Sequence, residues 1–482
     1  MQVVEIKIDN VWGKVVQILP QGVFDAVRKE CSYIPKAAEY TARTYGYRPT
    51  SIQRFNKKDQ SFRVGLLNRV RATLREFGML SVVVDNRINK EIEDDIKDYK
   101  LAQGIEIRDY QSAAVKEILI NKRAAQEIAT GGGKTLIMAA AIAEVQKPTM
   151  VLTNSTVLMY QTARAIGEAI GTKVGMIGDS VFEPRWVTVA MVQSLEGACD
   201  KYGSCAYKDD KIDLIKKTKF LIVDECHRIA AKTIFDLSAD FEAAGMAAFF
   251  TATMRRLDGR DLDLEAAAGP INYHIPMIDL IRGGYLVAPE ILYLDVPERM
   301  IPPNRSYLMT TKKYDELREF YIDQNDERNE LIAEAATELV AKQHPTLIAV
   351  RHIDHGNRIK ALLPSACEIY GDTSDRVKKF EEFEKGNIQL VISTLCKEGF
   401  DCPRLSAVIV AYDCQDTEQI VGRIVRLFPN KDRAIVIHLV DKHPIFKRHV
   451  RHCEKIFYSP QKISRTRISK SRLSVQVPPR IL

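Results

Sequence analysis

Nine cysteines stand far apart in this 482-residue sequence, and no two of them make a CxxC pair. Cys31, Cys199, Cys205, Cys226, Cys367, Cys396, Cys402, Cys414 and Cys453 are odd in number and scattered, which argues against a disulfide framework and a structural zinc site and leaves reduced thiols. Long apolar runs are missing too. None is long enough to cross a bilayer, and "MQVVEIKIDN" lacks a signal-peptide layout, so a soluble, cytoplasmic chain with no membrane partner is expected. There is no low-complexity tract and no short-period repeat. With 46% hydrophobic and 28% charged residues the composition is that of an ordinary globular protein. The length suits roughly two to four domains.

What is present is a lopsided charge. The whole chain carries +7, yet between Ile445 and Leu482 ten lysines and arginines meet the single acid Glu454. A basic end of this kind contacts nucleic acid or is simply solvated. The first stretch, to about Arg87, mixes short apolar strands with the arginine-rich helical run "FRVGLLNRVRATLREFG". The acidic "NKEIEDDIKDYK" then reads as a linker or exposed helix. From about Gly104 short β-rich runs alternate with helices, break near "RGGYLVAPEIL", and resume with the same rhythm. Buried parallel strands with crossover helices have that pattern.

Glycines cluster at "TGGGKT", between the strand "AAQEIA" and the helix "TLIMAAAIAEV". A flexible turn would account for them; so would a phosphate cradle. In a cradle Thr130, Gly131, Gly132 and Gly133 turn backbone N–H groups toward an anion at a helix N-terminus. Lys134 then reaches the β- and γ-phosphates, and the Thr135 hydroxyl holds Mg²⁺. Ile128 stands where the usual pattern has its first glycine. The strand "FLIVDECHRIA" favours the cradle, because it ends in two adjacent acids. Asp224 would hold the cation, and Glu225 would polarise the attacking water.

"DECH" after "TGGGKT", followed by "TAT" at Thr251 to Thr253, resembles the motor core of superfamily 2 helicases, over roughly residues 104 to 455. Other segments resemble further motifs of that family in the family's order. "IEIRDYQ" resembles the adenine-reading motif, with Arg108, Tyr110 and Gln111 around the base. "STLCKEGFDCP" resembles the fifth motif, with Thr394, Gly399, Asp401 and Pro403. "QIVGRIVR" resembles the sixth, with Gln419, Gly422, Arg423 and Arg426. The resemblance implies two tandem RecA-like parallel-sheet α/β domains, ATP and Mg²⁺ as cofactors, and Arg423 and Arg426 as arginine fingers. It implies nucleic-acid contacts from Thr153, Asn154, Gln193 and Thr394. It casts His227 as a coupling residue toward Gln419 rather than a metal ligand.

"DECH", "RxYQ" and "TATxxRxDGR" resemble DNA-directed members more than DEAD-box RNA helicases: the XPB-like group, restriction translocases and phage branched-DNA helicases of the UvsW type. The expected organisation is a small N-terminal α/β accessory, DNA-binding domain over 1–95, RecA-like domains over 100–285 and 286–457, and a basic tail over 458–482. The expected activity is ATP-dependent unwinding or branch migration of branched, forked or single-stranded DNA, by a monomer in a phage-infected or bacterial cytosol. RNA is the alternative polynucleotide, and translocation on duplex DNA without strand separation the alternative action. An ATP-gated clamp and a small-molecule kinase fit less well, the kinase because it has no use for a second α/β domain. No nuclease constellation is evident.

Overall fold

The computed structural model describes residues 2–87, 100–196, 208–229, 231–254, 258–309, 313–371, 373, 375–394, 402–415 and 417–470. The acidic "NKEIEDDIKDYK" (but for Lys100), Gly399, Asp401 and the last part of the basic tail lie outside the described residues. Two compact units account for the chain: Met1–Ala129 with Gly133–Ile275, and Pro276–Leu482 with Thr130–Gly132.

The first unit opens with β1 (Val3–Ile8) and β2 (Trp12–Val15), a short antiparallel pair β3 (Ser32–Tyr33) and β4 (Ile52–Gln53), then β5 (Ser61–Arg63) and β6 (Leu80–Asp85). Buried and exposed residues alternate along β1 and β2, as they must in a sheet with one covered face. The sheet runs β5-β2-β1-β6. Its inner face and the helices Gln21–Glu30 and Leu67–Glu76 share one apolar core, containing Ile6, Val15, Phe24, Val27, Phe62, Val70 and Leu74.

The larger sheet of this unit holds β7 (Arg123–Ile128), β8 (Thr149–Thr153), β9 (Gly175–Gly178), β10 (Val181–Glu183), β11 (Val187–Met191), β12 (Phe220–Val223), β13 (Met246–Thr251) and β14 (Ile271–Ile275). Its order is β10-β9-β11-β8-β12-β13-β7-β14, and only β10 runs antiparallel to its neighbour. β8 and β12 are buried along their whole length, so neither alternates: "FLIV" is apolar throughout and "TMVLT" is apolar between its terminal threonines.

The arginine-rich stretch of the N-terminal domain has a structural use that its sequence conceals. Arg63, 1% exposed, donates to the Phe235 carbonyl and to Ser238 Oγ at 2.8 Å, both on the helix Ala231–Asp240 beside the larger sheet. Arg69 forms a two-pronged pair with Glu265, and Arg71 donates to Ser81 Oγ at 3.1 Å. Asp263, 0% exposed, accepts from Arg54 Nε at 2.5 Å, Arg54 Nη2 at 2.8 Å and the Tyr33 hydroxyl at 2.5 Å. Gly65 permits the approach: a Cβ there would lie 2.2 Å from the Glu265 carbonyl oxygen. The N-terminal elements are thus fastened to the helices beside the larger sheet through one buried charge pair, one partly exposed one and the hydrogen bonds of Arg63.

Asp263→Ala is expected to cost about 3–5 kcal/mol, because it strands Arg54 without its acceptor. Asp263→Asn, which keeps one acceptor oxygen, should cost less. Scanning calorimetry of the full chain checks both. An alanine variant melting with the wild type would mean that the two sheets do not depend on this carboxylate.

The second unit is a seven-stranded, all-parallel sheet of β15 (Pro289–Asp295), β16 (Thr346–Ala349), β17 (Cys367–Ile369), β18 (Leu390–Ser393), β19 (Ala407–Val410), β20 (Ala434–Val440) and β21 (Ser464–Ile468), in the order β17-β18-β16-β19-β20-β15-β21. Two boundaries differ from the sequence reading. The units part at Ile275/Pro276, ahead of the glycine pair in "RGGYLVAP". That pair instead ends the helix Met277–Arg282, with Gly284 at φ 72° and Tyr285 N–H donating to the Leu280 carbonyl. The basic end is not all tail either, since Ser464–Ile468 extends the sheet as its edge strand.

Candidate nucleotide and nucleic-acid site

In open parallel sheets, ligands bind beyond the carboxyl ends of the strands. The sequence-derived candidates of the first unit lie there. β7 runs into the glycine loop, β8 into Asn154, β12 into Asp224 and β13 into the residues after Thr251. Ile128, at the missing-glycine position, is the last residue of β7 and fully buried, so the loop begins after a complete strand.

Gly131 and Gly133 adopt φ of 86° and 74°. Such left-handed residues turn successive N–H groups to one side and make an anion nest, here directly before the helix Lys134–Val145. A side chain at Gly133 is excluded twice, by its φ and by Gln111, whose Nε2 lies 2.5 Å from where a Cβ would sit. The structure therefore brings Gln111 against the glycine loop. Gln111 is nearly fully buried, and its Oε1 accepts from the Arg108 N–H at 2.9 Å. Arg108 Nη1 donates to the Tyr110 hydroxyl at 3.2 Å. These three residues form one group at the start of the helix Asp109–Asn121.

Lys134 Nζ lies 2.8 Å from Glu225 Oε1. Glu225 is held there by a backbone turn into the left-handed region (φ 45°), its N–H donating to Asp224 Oδ1 at 2.9 Å. A non-glycine residue in that conformation costs of order 1–3 kcal/mol and persists where its surroundings enforce it. Burial and then the charge of Glu225 push the Asp224 carboxyl up to about 7. Burial works the same way on Glu225, but Lys134, with His227 and Arg228, overrides it and holds that carboxyl down to about 2.

From Glu225 the contacts continue inward. His227 Nδ1 is 3.4 Å from Glu225 Oε2 and 2.6 Å from Thr251 Oγ1. Thr251 Oγ1 in turn donates to the Thr253 carbonyl and accepts the Thr253 N–H, at 2.7 and 3.1 Å. The "TAT" segment is thereby tied to the acid beside the glycine loop.

A divalent cation fits this acid pair. A buried carboxyl held up by a second acid is one whose ionised form a cation would stabilise, and Thr135, half-buried in the first turn of the helix, supplies a hydroxyl. Among the described residues no three His, Cys, Asp or Glu are grouped to hold a metal. The remaining ligands would come from phosphate oxygens and water, as Mg²⁺ commonly takes them.

The nucleic-acid candidates divide. Gln193 Nε2 donates to the Asn154 carbonyl at 3.3 Å, so these two meet. Thr153 is fully buried at the end of β8, whereas Asn154 is half-buried and Gln193 exposed. In the second unit Thr394 follows β18. Gln419 and Arg423 belong to the helix Glu418–Ile424, which is shorter than "QIVGRIVR" suggests. Arg426 lies past its end, where its backbone bridges Leu286 and the Val287 N–H donates to the Val425 carbonyl at 2.7 Å. Buried Arg328 sets this region from behind, donating to the Ala411 carbonyl at 2.6 Å and to Asp441 at 2.9 Å. Nothing local in the sequence marks Arg328 or Asp441.

Residues 104–256 match the family described as type III restriction enzyme, res subunit. A DNA 3'-5' helicase XPB of Kineococcus radiotolerans is 28% identical over 67% of this chain and 58% of its own length. The ATP-dependent DNA helicase uvsW of Enterobacteria phage T4 is 22% identical over 78% of each chain. The chain thus spans less than two thirds of the XPB relative. Among solved structures, Saccharomyces cerevisiae Dbp5 bound to RNA and ADP BeF3 superposes with a TM-score of 0.54 at 17% identity, over 76% of this chain and 90% of that one. Tandem RecA-like sheets are the fold shared with it.

Proposed function

We propose that the chain, similar to XPB and UvsW helicases, is a superfamily 2 ATP-driven motor that unwinds or branch-migrates branched DNA: forks, four-way junctions, D-loops or R-loops. The observation that carries the motor reading is the run of contacts from Lys134 through Glu225 and His227 to Thr251 and Thr253. A mere nucleotide-binding clamp needs the first pair only. A motor needs the state of the phosphate site transmitted to another part of the sheet, and this run supplies protein groups along which it would pass.

On this reading each residue takes the role that the resemblance to superfamily 2 helicases implies. The nest at Gly131 and Gly133 and the Lys134 ammonium hold the phosphates of ATP. Gln111, with both a donor and an acceptor, reads the adenine edge, with Arg108 and Tyr110 beside it. Mg²⁺, held by Asp224 and Thr135, would supply positive charge to the phosphate oxygens. Glu225, ionised across the neutral range, accepts the proton of the attacking water. Arg423 and Arg426 of the second unit meet the charge that spreads over the transferred phosphoryl group. Asn154 and Gln193 grip a strand through its backbone, without reading sequence.

Comparing ATPase stimulation by single-stranded DNA, forked DNA, blunt duplex and RNA tests the substrate. Forked or single-stranded DNA is expected to stimulate most, with strand displacement on the fork. Stimulation by RNA alone would overturn the DNA assignment. ATP-driven movement on blunt duplex without displacement from forks would replace unwinding by translocation.

A further inference from the structure

Arg63 and Arg69 of the arginine-rich stretch are engaged with helices beside the larger sheet. The open face of the N-terminal domain is different. Along β1 and β2 the residues pointing away from the core include Lys7, Trp12 and Lys14, all exposed. Lys7 and Lys14 are direct partners in the antiparallel register, and Ser61 of β5 is the next partner of Lys14. Lys7 Nζ also lies 3.6 Å from Glu5 Oε1, an exposed and therefore weak pair, so a phosphate between the two lysines would compete only with that contact.

At this end of the face lies a cavity of about 750 Å³, lined by Lys7, Trp12, Lys14, Gln53, Asn56 and Phe235 among others. Two acids also line it, each accepting local hydrogen bonds; Ser61 first, and Lys14 in smaller part, hold the Asp59 carboxyl down. Asp9 accepts the N–H groups of Val11 and Trp12 at 2.8 and 2.6 Å, and Asp59 accepts from Ser61. Arg54 on the wall is paired to Asp263. Trp12 is 40% exposed, with the Arg63 guanidinium 5.4 Å from its ring centroid.

We infer that this cavity takes one unpaired nucleotide of a DNA strand, its base against Trp12 and its phosphate between Lys7 and Lys14. The three features select the ligand together. Paired lysines call for a phosphate, an exposed indole for a flat ring, and the carboxamides of Gln53 and Asn56 for a base edge bearing both donors and acceptors. The volume is of small-ligand size. A base within a duplex is stacked and paired and cannot enter a concavity, so the cavity separates unpaired from paired DNA. Phe235 belongs to the helix that follows the "DECH" segment, so an occupant also touches the motor sheet's own helix.

This inference rests on the DNA reading above, and its test is kept apart from turnover. The chain has two tryptophans, so in the full-length Trp186→Phe protein Trp12 is the only indole. A short oligothymidine is expected to quench its emission, and a blunt duplex to leave it unchanged. Trp12→Ala should weaken oligothymidine binding roughly 5- to 150-fold, with Trp12→Phe, which keeps a ring beside Arg63, losing less. Changing Lys7 and Lys14 together to Gln should make the slope of log affinity against log salt shallower by about 1.4, two phosphate contacts' worth on a single strand. Oligothymidine that binds with unchanged emission and an unchanged salt slope would overturn the cavity assignment and leave the motor standing. Equal quenching by blunt duplex would overturn the selection for unpaired DNA. Failure of any DNA to bind would overturn this inference and the DNA reading together.

Discussion

Glu225→Gln is expected to lower ATP turnover about 10²- to 10⁴-fold while ATP still binds. Glutamine has the size of glutamate and keeps an oxygen toward Lys134, now 2.8 Å from Glu225 Oε1, but it cannot take a proton from water. The substitution also removes the charge that helps hold the Asp224 carboxyl up, so Asp224 should ionise more readily and retain its cation. A bound but barely hydrolysed nucleotide is the result, measured by single-turnover hydrolysis beside equilibrium binding of a fluorescent ATP analogue. Lys134→Ala should differ by losing nucleotide affinity as well. A glutamine variant turning over at the wild-type rate would remove Glu225 from the chemistry and leave the acid pair as a cation site only.

Arg423→Ala and Arg426→Ala are expected to be as severe or more so, about 10³- to 10⁵-fold in kcat, as arginine fingers are in phosphoryl transfer. Their contribution is made mainly when charge develops on the transferred group, so kcat and kcat/KM should fall together. Lysine at either position should not rescue, since a compact ammonium lacks the planar fork that meets two oxygens at once. The alanine variants should fold: Arg423 lies on the helix Glu418–Ile424, and Arg426 joins Leu286 through its backbone, which substitution leaves in place. If both variants hydrolysed ATP normally, the second unit would have no part in the reaction and the proposed use of two sheets would fail.

How far these sites were legible differs from residue to residue. Strands such as "FLIV" and "AIVIHLV" announce themselves because they are covered on both faces and are almost wholly apolar, His438 being the one polar residue of the two. The glycine loop is legible for a similar reason, since only glycine tolerates φ of 86° and 74° beside a buried glutamine. Asp263 is not. It sits in "DLDLEAAA", where an acid in a helix's first turn is unremarked, and its partners Arg54 and Tyr33 are 209 and 230 residues away. The arginines of "FRVGLLNRVRATLREFG" mislead in the opposite direction. A basic amphipathic helix suggests DNA, yet which arginine faces a polymer and which a buried carbonyl is decided by tertiary packing. Lys7 and Lys14 look unrelated until the strand register sets them opposite each other.

The buried carboxylate of Asp263 has one more implication. Because it ties Tyr33 and Arg54 to the helix Asp261–Ala268, removing residues 1–95 would not test a detachable arm; it would open a desolvated seam and damage the engine along with the handle. By the same token, a strand held at the small sheet is carried as cargo wherever the first unit goes, with no slack between hand and body.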